Sequence, residues 1–304
     1  MAMAPKRSLA AADAVSNKPS DLTPELAVGE ALQRVLAGAV RHLRLTAARG
    51  DPAQPETIHR FRVALRRLRA LLSAFGAALP TEERRALGRS LAGFSRRYGG
   101  VRDWDVLLAG TIAPLAAALP EDGAAAEIAA CAAEARRRAL PEATLEEDSA
   151  AIAAALDSAL FLRRPSADRE AIWALPINEF AAGLLKKRHR RLRRLLKHLE
   201  TDDQAVLHKV RLKAKKLRYP AEIFGVLFDE RAAAAYFRRL IQVQSSLGHL
   251  NDIETARHLL ASLPLSGRAQ ALAAGWLARD AAAARAAFPK TARDGRRSTS
   301  FWEG

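Results

Sequence analysis

Between residues 58 and 79 the apolar side chains recur at helical spacing: Ile58, Phe61, Leu65, Leu68, Leu72, Phe75 and Leu79. Steps of three and four keep them on one stripe about 100° wide of a 3.6-residue helix. A helix buried along that stripe is therefore expected over about residues 55–79. The pattern returns at Leu207, Val210, Ala214, Leu217, Phe224 and Phe228, in a second helix expected over about 205–228. Few windows alternate with period two, and alanine and leucine dominate the apolar set, so the rest also reads as helix. Further helices are expected over about 23–49, where Thr23 can cap and Pro24 open the first turn, and from Thr81 to a stop at Gly99-Gly100. Others are expected at 102–118, twice within 121–162, and at 177–200, 231–247, 252–263 and 268–288. Short breaks between long amphipathic helices favour antiparallel neighbours.

The polar positions of the two similar helices match as well. His59-x-x-Arg62-x-x-x-Arg66-Arg67-x-Arg69 returns 149 positions on as His208-x-x-Arg211-x-x-x-Lys215-Lys216-x-Arg218. At the same offset Phe75-Gly76 falls on Phe224-Gly225, Gly99 on Gly248 and Asp103 on Asp252, while Arg41, Leu43 and Arg44 fall on Arg190, Leu192 and Arg193. A spacing held without a gap over this length indicates a duplicated unit. The expected fold class is all-α: two related antiparallel four-helix-type bundles with a pseudo-two-fold internal repeat. The halves are placed at 23–162 and 176–289, with a linker at 163–175. Residues 1–22 and 290–304 read as flexible tails, and Phe301-Trp302 reads as part of a frayed end, with a small docking element as the alternative.

Charge sharpens this picture. The 304 residues carry a formal net charge of +16, which implies anionic partners. It is unevenly placed: residues 111–180 hold twelve acids and six bases, whereas residues 181–220 hold fourteen Lys and Arg against three acids. Cys131 is the single cysteine, which excludes an internal disulfide and a cysteine metal cluster. No apolar run approaches membrane-spanning length and no apolar leader follows Lys6-Arg7, so a reducing cytoplasm is the expected location.

Shifted by one from the apolar stripe, His59, Arg62, Arg66 and Arg69 form a second stripe within an arc of about 80°. His208, Arg211, Lys215 and Arg218 do the same in the copy. Cations along one helix flank repel one another unless an anion lies over them. Arginine offers phosphate a planar fork and lysine a point charge. Arg41, Arg44, Arg190 and Arg193 on the preceding helices are candidates to widen the stripe into a groove. The alternative, an ordinary solvated face, is weakened by the repetition. His59 and His208 read as hydrogen-bond donors to the anion, as structural residues, or as metal ligands, although neither has a second His four residues on. Asp103 and Asp252 read as helix-capping groups that orient the site arginines. The alternative pairs them with Asp105 and Glu254 around a divalent cation.

These motifs resemble the CHAD family, the conserved histidine α-helical domain. The resemblance rests on the two H-x-x-R-x-x-x-[RK]-[RK]-x-R helices and on Arg102-Asp103-x-Asp105-Val106 and Leu247-Gly248-x-Leu250-Asn251-Asp252, and covers roughly residues 23–289. It implies paired four-helix bundles around a basic groove or pore that binds inorganic polyphosphate, and association with polyphosphate granules and their proteins. It carries the binding role to His59, Arg62, Arg66, Arg69, His208, Arg211, Lys215 and Arg218. Many relatives also carry a triphosphatase module with an E-x-E-x-K signature; this sequence has none, so that activity is not implied. Pro220 predicts a kink in the second basic helix. The expectation is a binding protein, not an enzyme, with no cofactor and no bound metal. Two alternatives stand beside it. One is a nucleic-acid-binding protein, against which count the few aromatics in the stripes and the lack of a recognisable motif. The other is a metal-assisted phosphohydrolase using His59, Asp103 and their copies.

Overall fold

The computed structural model describes residues 22–48, 50–197, 204–296 and 299–303. The expected N-terminal tail lies almost entirely outside them, and Leu22, where it would end, is buried. Apart from an isolated bridge between Ala27 and Pro176, no strand occurs among the described residues. The first half of the chain forms α1 (Val28–Ala48), α2 (Pro55–Ala74), α3 (Thr81–Arg97), α4 (Gly99–Leu107), α5 (Ala113–Ala118), α6 (Gly123–Arg138) and α7 (Leu145–Ser158). It continues through a short α8 (Glu170–Ala174) into α9 (Ile177–Lys197), α10 (Gln204–Phe224), α11 (Glu230–Ala261) and α12 (Gly267–Arg296). The fold is all-α, as expected, and no described helix is long and apolar enough to cross a membrane.

Local chemistry accounts for several helix ends. Pro55 opens α2, where its missing N–H costs nothing. Asp122 accepts from the amides of Ala124 and Ala125 at the start of α6. Thr144 and Glu147 form a reciprocal capping box on α7. α1 begins at Val28, five residues later than Thr23 suggests, because Leu26 N–H closes a turn on the Thr23 carbonyl.

The apolar stripe of α2 is buried throughout, with Ile58, Phe61, Leu65, Phe75 and Leu79 at 0% exposure. Its counterpart on α10 is buried from Leu207 to Phe224. The two helices pack together, and the matched residues Phe75 and Phe224 meet edge to face at 5.5 Å. The core does not divide where the sequence does. A larger apolar cluster joins α1, α2, α3 and α7 to α9, α10 and the first half of α11. A smaller one packs α4, α5 and α6 against the second half of α11 and the first half of α12.

Four sequence expectations are corrected. Gly248 does not end a helix: α11 runs unbroken through it, where two helices were expected. A helical glycine costs only about 1 kcal/mol relative to alanine, and the buried series from Ala233 through Leu247 and Ile253 to Leu260 carries the helix past it. Gly99 likewise starts α4, and Tyr98 alone separates α4 from α3. The segment expected as a linker is built in, since Trp173 of α8 is buried and donates from Nε1 to the Ala78 carbonyl at 2.7 Å. The expected C-terminal tail is helical to Arg296, and Phe301 and Trp302 are 5% and 4% exposed. Their rings meet Tyr236 at 5.3 and 5.2 Å, so aromatic burial fixes an end that composition alone leaves frayed.

Candidate functional site

Between the flanks of α2, α3, α9 and α10 lies a groove of about 580 Å³. α2 contributes Arg66 and Arg69, and α10 contributes Lys215 and Lys216. The facing flank of α3 adds Arg84, Arg85 and Arg89, and Arg188 enters from α9. No acidic residue among the described residues lines it. Leu72, Leu212 and Tyr219 supply apolar wall, against which the aliphatic stems of the cations can pack. The Nε groups of Arg66 and Arg84 are buried without a protein acceptor.

The positive field continues along α2 and α10 to Arg62 and Arg211 and reaches Arg102 on α4. Burial is the first cause lowering the pKa of Arg62, and repulsion from Arg66 is the second. Burial likewise leads for Arg102 and for Arg211, both of which also feel Arg66. Lys215 shows the largest consequence: burial, then Arg211 and Arg66, lower its pKa to about 8. Close cations in a desolvated cleft disfavour one another's charge, so an anion placed among them relieves both penalties.

Asp103 and Asp252 lie within this field. Partial burial raises both pKa values, while Arg62 and Arg102 pull Asp103 down and Arg211 pulls Asp252 down. Their interaction with the arginines is through space, and Arg62 itself donates to the Ser95 carbonyl of α3 at 2.5 Å. Asp105, two residues from Asp103, is buried, accepts from Arg136 Nε at 2.7 Å and also acts on Arg102. Glu254 is taken by Arg257 and His258 on its own helix. Positions two apart on a helix do not share a face, so neither D-x-[DE] unit converges on one point.

The other sequence candidates are spread more widely. Arg41 and Arg44 line a separate groove of about 650 Å³ between α1 and α7, where Arg44 lies 3.9 Å from Asp157. Arg193 borders a separate small cleft with His189 and Tyr236, and Arg190 is exposed. Arg218 is held by Glu222 Oε1 at 2.5 Å and Gln244 Oε1 at 3.0 Å. His208 is exposed, His59 is half-buried, and neither lines the groove. Arg84, Arg85, Arg89 and Arg188 were not candidates from sequence. At the 149-residue offset Arg84, Arg85 and Arg188 fall on Ala233, Ala234 and Ala39, and Arg89, which falls on Arg238, lies outside the repeated basic motif.

The profile of the CHAD domain matches residues 30–261. The chain belongs to the CHAD domain family. It is similar to the crystal structure of the CHAD domain from the plant Ricinus communis, at 25% identity and a TM-score of 0.70, covering 94% of this chain and 98% of that one. It also shares its fold with PptA from Streptomyces chartreusis, at 18% identity and a TM-score of 0.64, covering 88% of this chain and 99% of that one. No curated protein matches. The profile spans both basic helices of this CHAD domain, along with α3, α4, α9 and α11, so every groove-lining residue falls inside it.

Proposed function

We propose that this CHAD domain binds inorganic polyphosphate in the groove between α2, α3, α9 and α10 and holds the chain without cleaving it. The observation that carries the reading is the lining itself: among the described residues, eight Lys and Arg side chains and no carboxylate surround one cleft of about 580 Å³. A linear phosphate chain presents charge on every unit and no bulky side group, which suits closely spaced guanidinium and ammonium donors. Family membership favours the same ligand. Arg62, Arg102 and Arg211 extend the binding path beyond the groove, with Asp103 and Asp252 setting the local field. The consequence proposed for the cell is attachment to polyphosphate granules, where the domain can gather further granule proteins.

The test combines binding with turnover. Polyphosphate affinity is measured at near-physiological salt with double-stranded DNA and single-stranded RNA as competitors, and phosphate release is followed with and without Mg²⁺ or Mn²⁺. Binding that survives the competitors with no phosphate release is the expected result. Preference for nucleic acid would move the protein to a different ligand class, and metal-dependent release would make it a phosphohydrolase.

A further inference from the structure

We propose that Arg188 is a positioning residue that fixes the width of the groove by tying its two walls, α2 and α10, at backbone carbonyls that lack a helical donor. The Arg188 guanidinium donates from Nη1 to the carbonyl of Lys216 on α10. From Nη2 it donates to the carbonyl of Ser73 on α2 at 2.5 Å and to the Ser73 hydroxyl at 3.2 Å. Each carbonyl has a reason to need it. In an α-helix the Lys216 carbonyl accepts from the amide four residues on, which here is Pro220, a residue with no N–H. A proline ring also crowds the carbonyl four residues back, yet α10 continues to Phe224. Ser73 stands next to last in α2, among the terminal carbonyls that no later turn satisfies.

A planar fork with several donors can serve two helices at once; the single ammonium of lysine has no such fixed geometry. Among the described residues no carboxylate pairs with Arg188. Burial, with Arg191 second, lowers its pKa to about 10, so it stays charged at neutral pH. The tie matters because the walls repel: Arg66 and Arg69 on α2 face Lys215 and Lys216 on α10 across the groove. Held at one separation, the walls admit a bare phosphate chain and resist a strand that carries sugars and bases. That selective role rests on the polyphosphate reading above; the tie itself does not.

The experiment is a double-mutant cycle on the full chain with Arg188→Ala, Arg188→Lys, Pro220→Ala and the Arg188→Ala/Pro220→Ala pair. Denaturant midpoints and affinities for polyphosphate and a single-stranded RNA are measured for each. In Pro220→Ala the new amide satisfies Lys216, so removing Arg188 should shift the midpoint less in that background than in the wild type. Both Arg188 variants should lose polyphosphate-over-RNA preference by at least about fivefold, with Pro220→Ala close to wild type. Additive midpoint shifts would overturn the tie, and an unchanged preference in folded Arg188→Lys would overturn the selective role. A wild type that binds no polyphosphate would overturn the ligand reading and the selective role together, leaving the tie to be decided by the midpoints. If Arg188→Ala alone fails to fold, folding of the double variant supports the tie and its failure to fold opposes it.

Discussion

Lys215 is the groove cation whose charge depends most on its surroundings. Burial first, then Arg211 and Arg66, bring its pKa down to about 8, with Asp252 acting the other way. The sign follows directly. Below pH 8 the amine is charged and attracts an anion; as pH rises through 8 it loses that charge, unless binding draws a proton in. Polyphosphate affinity should therefore fall between pH 7 and pH 9, by about three- to tenfold for one charged donor. Calorimetry in buffers of different ionisation enthalpy should show proton uptake near pH 8. Lys215→Arg should flatten the profile, and an equally steep fall in that variant would assign the titration elsewhere. Lys215 and Arg66 could be singled out from the sequence because the stripe that holds them is repeated. Arg188 could not, since its role depends on a proline in another helix.

At the scale of elements, periodicity along one helix tells which face is buried but not which helix covers it. The stripe of α2 was legible for that reason, whereas the arginines of α3 became part of the groove only through the packing of α3 beside α2. The same limit explains Arg41 and Arg44, whose matched spacing says nothing about α7, the helix that shares their groove. α8 is the clearest case of an element read as linker. Its Trp173 lies over α1 at Gly29, where a Cβ would come within 2.2 Å of the indole Cε3. A ring cannot move aside there without losing its bond to Ala78. Gly29→Ala is therefore expected to destabilise the fold by about 1–3 kcal/mol through overpacking. Urea unfolding measures the loss, and a stability equal to wild type would mean that α8 is not fixed against α1.

The whole molecule is held by two apolar clusters that each draw on both halves of the chain. Composition and spacing foretold an all-α protein, yet they divided the core at the linker, because sequence order is a poor guide to which hairpins interleave. The C-terminal aromatics belong to the same lesson: Phe301 and Trp302 close the larger cluster against Tyr236, Phe228 and Phe237. Removing residues 297–304 should cost about 3–5 kcal/mol, the loss typical of a buried large aromatic. A denaturant midpoint within error of the full chain would show that the contact adds nothing. The central claim is that the α2–α3–α9–α10 groove, and not basic surface in general, binds polyphosphate. The most direct test compares polyphosphate affinity in two folded variants: Arg66, Arg69, Arg84 and Lys215 to Gln, and Arg41 and Arg44 to Gln with Arg190 and Arg193. Each removes four charges, so non-specific attraction falls equally. Binding lost in the first and kept in the second is the expected result; equal loss in both would contradict the claim.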